Sequence, residues 1–445
     1  MLYQQFKKHV YSHPNKTALI FNDKILSYQE LDQKINTILL PKKPFTHIAV
    51  LLENSIEFVL LLLAASKYTQ TLIPFPIDGK VDYDKFDIEY IYDNNGLKQI
   101  HTYKQKQHNA YIIVSTSGST SDPKPILLTQ EIKQKRISIA KESYELNADD
   151  KILIPTPLHH SLAQRGILLA LTIGATAILM QKFNKSHFLE LLEKEKITFT
   201  FAVSNQLETI SSDIEQYNLS SIKAIVSTSY AIKKEIKKKL LEFLPIYECY
   251  GTSEIGCVTH LSPKDIITHS NSVGKILKGV EIKIQDHEIL VKSPWAFDGY
   301  YKQDKITQKS HDNDGFFKTG DLGELIDGYL YYRGRNKELI KSGGISIYPI
   351  DIEKVLTQVD GVEEVAVIGI DDTYFGEIVA AIITGNVTKL ALMKMANKHL
   401  TSYQKPLFYD IVERLPKSAL GKIQKFKLKE KYKHLNLSKK LKGIK

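Results

Sequence analysis

Up to about Ser272 the sequence alternates short apolar runs with amphipathic stretches of helical length, and no other property narrows its possible folds as much. Parallel strands need a crossover of about a dozen residues or more, and strands covered on both faces read as near-continuous apolar runs. Ile48-Ala49-Val50-Leu51-Leu52 followed by 56–65 reads as strand then helix, and 152–154, 175–180, 199–203 and 224–227 read as further strands. The expected body is α/β with a mostly parallel sheet. After Ser272 the pattern changes to alternation and hairpin cues: Val280-Glu281-Ile282-Lys283-Ile284, Glu288-Ile289-Leu290-Val291, and Asp327-Gly328 between Glu324-Leu325-Ile326 and Tyr329-Leu330-Tyr331-Tyr332. Asp-Gly between β-rich runs predicts a tight hairpin, and the region as a whole predicts a β-rich subdomain closing the α/β body. Beyond the polar stretch Arg333-Gly334-Arg335-Asn336-Lys337 a small α+β pattern begins, with helices over 350–357 and 390–400 and strands over 362–370 and 378–383. The boundary is therefore expected between an N-terminal domain, 1–336, and a C-terminal domain, 337–445.

Composition rules out several functions. The chain has 445 residues, 43% hydrophobic and 25% charged, as in an ordinary globular protein. The apolar run 166–180 is broken by Gly174 and threonines and falls short of the roughly 20 residues that span a bilayer. Residues 1–10 are polar and lysine-bearing, so neither a signal peptide nor a membrane anchor is expected, and the default compartment is the cytoplasm. Cys249 and Cys257 are too few and too poorly spaced for a disulfide framework or a zinc site, and they read as structural in a reducing compartment. The net charge is +10, but the stretch from Lys422 to Lys445 holds ten lysines against Glu430 alone, so it supplies +9 of it. A nearly neutral body argues against nucleic-acid binding. The basic tail suits either solvent or a polyanion such as a coenzyme phosphate, an acidic carrier protein or a membrane surface.

Chemistry first shows in Val114-Ser115-Thr116-Ser117-Gly118-Ser119-Thr120-Ser121-Asp122-Pro123-Lys124-Pro125, directly after the apolar run Tyr111-Ile112-Ile113-Val114. Hydroxyls, amides freed by Gly118 and the compact charge of Lys124 suit phosphate oxygens. Its spacing is not that of a P-loop, and alone it fits an ordinary turn equally well.

Downstream come Tyr250-Gly251-Thr252-Ser253-Glu254, then Lys318-Thr319-Gly320-Asp321-Leu322, then Gly334-Arg335 through Lys341-Ser342-Gly343-Gly344-Ile345, and last Leu415-Pro416-Lys417-Ser418-Ala419-Leu420-Gly421-Lys422. With the loop, these segments resemble, in order, the motifs of the adenylate-forming superfamily of acyl- and aryl-CoA synthetases, adenylation domains and beetle luciferases. The resemblance covers essentially the whole chain, with 76–109 shorter than usual. It implies a large N-terminal domain of parallel-sheet αβ subdomains plus a β-barrel-like subdomain, and a small mobile α+β C-terminal domain. It also implies an acid–thiol ligase reaction in two steps. A carboxylate attacks the α-phosphorus of ATP to give acyl-AMP and pyrophosphate, and a thiol, most simply that of coenzyme A, then displaces AMP.

By the same resemblance Thr116, Ser117, Gly118, Ser119 and Thr120 would cradle the β- and γ-phosphates with Lys124 at the rim. Glu254 would bind magnesium, Thr252 the α-phosphate, and Tyr250 with Gly251 would lie against the adenine. Asp321 would accept the ribose hydroxyls, with Arg335 beside it. Lys422 would bridge carboxylate and α-phosphate, offsetting charge in the transition state. Lys337 would be the hinge about which the C-terminal domain turns, and Gly343 and Gly344 would line the pantetheine tunnel. His159-His160 after Pro157-Leu158 matches the acyl-pocket segment, with His160 the better candidate for a role there and a structural histidine the alternative. Without an aspartate in that segment, the substrate is expected to be a fatty or aromatic carboxylic acid without an α-amino group, in a pocket bounded by that segment, Ser227-Thr228-Ser229 and 250–255. Ser121 and Pro125 replace usual glycines in the phosphate loop, and Ser227-Thr228-Ser229 replaces a common glycine pair. The alternatives are an enzyme that loads a carrier-protein phosphopantetheine and a non-catalytic nucleotide- or acyl-binding relative.

Overall fold

The first strand of the expected α/β series runs His47–Val50 and the helix after it Ile56–Tyr68. Ser55 caps that helix with its side chain and Thr69 ends it in the left-handed conformation, so both ends are set by local chemistry. This computed structural model describes residues 1–79, 81–103, 108–115, 124–418, 421–433 and 435. Those residues form two compact units, one of 1–115, 124–281 and 291–317, the other of 282–290 and 318 onward.

The first unit carries two sheets. In one the strand order is Gly96–Gln99, Tyr90–Asp93, His47–Val50, Thr71–Pro74, Ala110–Ser115, Pro125–Thr129. Its inner neighbours are parallel, and its last pair is antiparallel, with Ser115 opposite Pro125. In sequence the phosphate-loop segment falls between the two strands of that last pair. The other sheet contains the run Gly274–Ile276, Gly256–Leu261, Ile246–Thr252, Ala224–Thr228, Phe199–Val203, Lys151–Ile154, Thr176–Leu179, Thr17–Phe21, Lys24–Ser27. From Ile246–Thr252 to Thr17–Phe21 every neighbour is parallel, as the continuous apolar runs require. Helices packed on these strands bury Phe188, Leu189, Leu192, Leu207 and Leu240 against Ile225 and Ile246.

Residues 1–10, read above as merely polar, belong to an amphipathic helix, Leu2–Ser12, that buries Leu2, Tyr3, Phe6 and Val10. Gln4, Lys8, Tyr11 and Ser12 make up its solvent face, and a plain composition count of the segment does not show the periodicity.

In the second unit Glu281–Gln285, Glu288–Lys292, Phe317–Ile326 and Tyr329–Arg335 follow one another as sheet neighbours. The expected hairpin is present: Ile326 pairs with Tyr329, and Asp327 and Gly328 both have positive φ, 50° and 81°, as a two-residue type I′ turn demands. The small α+β pattern follows, with strand order Ile345–Ile347, Ile340–Ser342, Gly376–Gly385, Val362–Asp372 and with Phe408–Ile411 parallel to Gly376–Gly385. Helices Pro349–Leu356 and Lys389–His399 bury Ile352, Leu356, Leu392 and Ala396 against Val367, Val379 and Ala381. The fold class is the α/β plus small α+β arrangement read from the sequence. Among the described residues no helix is long and apolar enough to cross a membrane.

Candidate active site

The segment Tyr250–Glu254 leaves the strand Ile246–Thr252 and turns into Gly256–Leu261 with an irregular register between Tyr250 and Gly251. A Cβ on Gly251 would sit 1.9 Å from the Gly256 carbonyl oxygen, so this turn closes only around glycine. Cys249 and Cys257, read from the sequence as structural and too poorly spaced for a disulfide framework, are joined by a disulfide that spans the same turn. Two cysteines eight residues apart carry no sequence signal for that pairing, and they are not register partners: Cys249 lies opposite His260 and Cys257 opposite Gly251.

Glu254 is held from both ends. Its carbonyl oxygen accepts from Arg136 Nη2 at 3.0 Å and from the Phe297 amide at 2.7 Å. Its carboxylate accepts the Tyr300 hydroxyl at 3.0 Å through Oε1. The Lys124 ammonium lies over the Tyr300 ring, 4.7 Å from its centroid. Tyr300 is 3% exposed, and burial first, then the Glu254 charge, push its hydroxyl pKa far above the ordinary range, so it stays a donor. The phosphate-loop lysine and the proposed magnesium carboxylate are therefore connected through a residue the sequence reading missed. Tyr300 sits where 298–301 pairs with the strand Pro125–Thr129: Leu127 N bonds Gly299 O at 2.9 Å and Tyr301 N bonds Pro125 O at 2.8 Å. Pro125 heads that strand with its carbonyl engaged, so its missing N–H costs the ladder nothing. Thr116, Ser117, Gly118, Ser119 and Thr120 lie outside the described residues, as do Ser121 and most of the basic tail past 433.

The helix Gln130–Ser143, directly after that strand, braces two walls of the site. Lys133 and Arg136 are three residues apart and share a helix face, yet they are 2% and 3% exposed. Lys133 Nζ bonds Gln164 Oε1 at 2.8 Å and Ser161 Oγ at 3.4 Å, beside the His159-His160 segment. Arg136 Nε bonds the Trp295 carbonyl at 3.0 Å, and its Nη2 bonds the carbonyls of Ser253 and Glu254, each at 3.0 Å. Cations at positions where periodicity wants hydrocarbon, next to Ile132, Ile137 and Ala140, were the available sequence signal.

His160 is half-buried, and its Nε2 is buried without a hydrogen-bond partner among the described residues. Burial and then the neighbouring His159, 4.1 Å away ring to ring, push its pKa down to about 3, so the imidazole is neutral. A neutral ring with an unpartnered nitrogen is equipped to bond a ligand. At Ser227-Thr228-Ser229, Ser204 Oγ reaches Ser227 Oγ at 3.1 Å and the Thr228 carbonyl at 3.0 Å, and Ser229 has φ 91°. The serine there holds a backbone shape that favours glycine, the residue the resemblance led one to expect in this segment.

In the second unit Asp321 and Arg335 are register partners across neighbouring strands, with Arg335 Nε 2.8 Å from Asp321 Oδ1. Asp321 is 1% exposed, and its amide bonds Thr319 Oγ1 at 3.0 Å, while Gly320 N bonds Glu288 Oε1 at 2.9 Å. The turn before Lys422 is locked by Ser418 N to Lys422 O at 2.8 Å and Gly421 N to Ser418 O at 2.9 Å. Lys425, just after it, is anchored by Glu353 at 2.7 Å and Glu338 at 3.3 Å. Lys422 is exposed, and among the described residues its ammonium has no hydrogen-bond or ion-pair partner. Crowding by surrounding protein and then the Arg335 charge lower its pKa, against the opposing pull of Glu338 and Asp321. Lys422, Asp321 and Arg335 thus share one electrostatic neighbourhood. Lys337 lies exposed on the single turn Asn336–Glu338. Gly343 and Gly344 form the two-residue turn between Ile340–Ser342 and Ile345–Ile347, with φ 56° and 82°.

An α/β body with a half-buried carboxylate braced by a buried tyrosine, and a second unit presenting a lysine near an Asp–Arg pair, fit a nucleotide-dependent ligase of the adenylate-forming class. The AMP-binding enzyme pattern matches residues 78–301 and the AMP-binding enzyme C-terminal domain pattern matches 351–422, and the chain belongs to this family. It is 33% identical over 330 residues to a 2-succinylbenzoate–CoA ligase of Listeria monocytogenes, covering 72% of this chain and 70% of that one. It is 30% identical over 340 residues to a long-chain-fatty-acid–CoA ligase of Mycobacterium tuberculosis, covering 72% and 67%. Its fold is similar to that of ATP-bound MatB from Rhodopseudomonas palustris, with TM-score 0.85 and 20% identity over 98% of this chain and 100% of that one. The o-succinylbenzoate CoA synthetase of Bacillus subtilis gives TM-score 0.84 and 23% identity over 96% and 97%. The chain is accordingly an enzyme, an acyl-CoA-synthetase-like AMP-forming acid–thiol ligase.

Proposed function

We propose that this chain activates a carboxylic acid lacking an α-amino group with ATP and passes the acyl group to the thiol of coenzyme A. The observation that carries this reading is Lys422, whose unpartnered ammonium stands in the same neighbourhood as the Asp321–Arg335 pair.

In the first step the acid's carboxylate oxygen attacks the α-phosphorus and the bond to pyrophosphate breaks. Charge builds on the phosphate oxygens, and Lys422 and Thr252 offset it with directed donors. Lys124 takes up charge on the departing pyrophosphate, and Asp321 accepts from the ribose hydroxyls. Glu254 fits a magnesium ion: it is a hard-oxygen donor with Oε1 fixed by Tyr300 and Oε2 without a hydrogen-bond partner among the described residues, and a single carboxylate suffices when phosphates and water supply the remaining ligands. When bound, that ion neutralises charge on the phosphates. In the second step the thiol attacks the acyl carbonyl and AMP leaves. The hairpin turn at Gly343-Gly344 is the proposed edge of the path for the thiol's thin pantetheine arm, with Lys337 as the pivot that brings it into place.

The test is carboxylate-dependent exchange of pyrophosphate into ATP over short, medium, long and aromatic acids, followed by thioester formation with coenzyme A or a carrier protein as acceptor. Exchange plus a coenzyme A thioester is the expected result. ATP binding without exchange for any acid would show a non-catalytic relative, and transfer confined to a carrier protein would move the acceptor to that partner.

A further inference from the structure

Arg136 stands where the helix Gln130–Ser143 calls for hydrocarbon. It shares the buried face with Ile132, Lys133, Ile137 and Ala140 and is almost wholly enclosed. Among the described residues no carboxylate lies within ion-pair distance of its guanidinium; Glu254 acts on it only through its field. A buried cation without an ion pair is costly, and an apolar side chain of similar volume is often the more stable choice for a core. Packing therefore does not account for an arginine here. What the arginine adds is a rigid fork of donors.

That fork is aimed at one place. Nε donates to the Trp295 carbonyl and Nη2 to the carbonyls of Ser253 and Glu254, each at 3.0 Å. In an extended chain successive residues face opposite sides, yet the carbonyls of Ser253 and Glu254 meet a single nitrogen. The chain therefore turns at these two residues, and the guanidinium holds the turn closed. The direction in which the Glu254 side chain leaves the main chain follows from that turn, before the Tyr300 hydroxyl takes hold of its far end.

The surroundings leave room for the fork and little else. A Cβ on Gly256 would lie 3.1 Å from Arg136 Nε and 2.7 Å from Trp295 Cδ1. Trp295, the only tryptophan of the chain, is buried against the same turn, with its ring N–H donating to the Cys257 carbonyl at 2.9 Å.

We infer that Arg136 is a positioning residue for magnesium use: by holding the Ser253–Glu254 turn it aims the Glu254 carboxylate at the metal. The inference rests on the adenylation reading above. The sign of the effect separates this role from the two others open to a buried arginine. A guanidinium close to a cation site repels the cation, so if charge were its whole contribution, its removal would tighten magnesium binding. If it only filled the core, its removal would lower stability and leave magnesium alone.

The experiment follows two quantities against magnesium concentration at fixed ATP: pyrophosphate exchange, and the rise in melting temperature that ATP brings about, read from Trp295 fluorescence. In Arg136→Gln and Arg136→Lys the half-saturating magnesium rises roughly tenfold or more by both readouts, because neither side chain spans the three carbonyls, and saturating magnesium restores most of kcat. Lys133→Met, which removes the other buried cation of the same helix face, keeps the natural half-saturating value. Tighter magnesium in Arg136→Gln with no change in Arg136→Lys overturns the inference in favour of charge. A lower melting temperature with an unchanged half-saturating value overturns it in favour of packing, as does an equal rise in Lys133→Met. If Arg136→Gln does not fold, Arg136→Lys and Gly256→Ala, whose added methyl crowds the guanidinium, carry the same test with the same expected rise. No exchange with any acid in the natural enzyme overturns the adenylation reading itself, and the melting-temperature readout then still decides the role of Arg136.

Discussion

Tyr300 donates its hydroxyl to Glu254 Oε1 at 3.0 Å, and that single bond fixes the one carboxylate in the first unit assigned to magnesium. Tyr300→Phe keeps the ring under Lys124 and removes only the bond. A hydrogen bond to a charged group contributes about 1.5–3 kcal/mol, so the exchange rate should fall roughly ten- to a hundredfold. Raising magnesium should recover part of the loss, because the carboxylate is loosened and not removed. A magnesium titration of the exchange rate checks both; an unchanged rate would show that Glu254 is positioned by its main chain alone.

Lys422→Ala should abolish most adenylation while leaving ATP binding close to normal, since the ammonium acts on charge that develops in the transition state. Removal of one such donor costs about 10²–10³ in rate. Because Lys425 and its anchors Glu338 and Glu353 hold the neighbouring turn, the variant should keep its melting temperature. Thioester formation from preformed acyl-AMP separates the steps: that half-reaction should survive. Equal loss of both halves would assign Lys422 to something other than adenylation.

The residues of the site were legible in the sequence to the extent that each sat inside a run with its own local grammar. Asp321 and Arg335 stand in strands joined by an Asp-Gly turn, so the hairpin was legible, but plain register from that turn would set Asp321 opposite Gly334, and only the irregularity between Leu322 and Gly323 brings it opposite Arg335. Gly251 was legible as part of a motif, and the structure supplies the reason, a carbonyl where its side chain would be. Tyr300, Lys133 and Arg136 were not legible, because their roles depend on which segments meet. Tyr300 reaches Glu254 across 46 residues and Arg136 reaches Ser253 across 117, and nothing in local periodicity encodes such a meeting. The Cys249–Cys257 disulfide belongs with them, because it joins two strands at positions that are not register partners.

Ser229 offers a stability test at the site's edge. Its φ of 91° lies where a Cβ is crowded, at a cost of about 1–2 kcal/mol. Ser229→Gly should therefore raise stability by about 1 kcal/mol, offset in part by the greater freedom glycine gives the unfolded chain. A denaturant midpoint that rises with an unchanged slope is the expected readout. A lower midpoint would mean that the Ser229 side chain contributes more than its backbone strain costs.

A buried histidine pair sets a pH dependence. His47 Nδ1 lies 2.6 Å from the Phe86 carbonyl, so it donates there, and its Nε2 accepts from His108 Nε2 at 2.7 Å; His108 Nδ1 then accepts the Ala110 amide at 3.1 Å. Both rings must be neutral for this chain of bonds. Burial is the main cause that lowers both; for His47, brought to about 4, the Phe86 carbonyl and Asp87 oppose it while His108 and Lys302 reinforce it. The folded pKa lies below the ordinary 6.5, so stability is full above about pH 6.5 and falls as pH drops toward 4, by about 1.4 kcal/mol per pH unit for each proton taken up on unfolding. Urea midpoints at pH 7 and 4.5 should differ less in His47→Gln/His108→Gln than in the natural protein, and equal differences would place the acid sensitivity elsewhere.

The turn at Gly343-Gly344 needs a two-part test, because its glycines answer to the backbone first. With φ 82° at Gly344, any larger residue is strained whatever lies nearby, and a Cβ there meets nothing within 4 Å. Asparagine tolerates this conformation and leucine does not. Gly344→Asn should therefore leave the melting temperature nearly unchanged, whereas Gly344→Leu should lower stability by about 1–2 kcal/mol. If pantetheine passes along this turn, both variants make acyl-AMP at rates close to the natural enzyme's, but Gly344→Leu, the bulkier, slows thioester formation at least tenfold and Gly344→Asn slows it less. Single-turnover measurements of the two half-reactions at a temperature where both variants are folded separate strain from obstruction. Equal slowing of the two half-reactions would make the glycines a structural turn and nothing more.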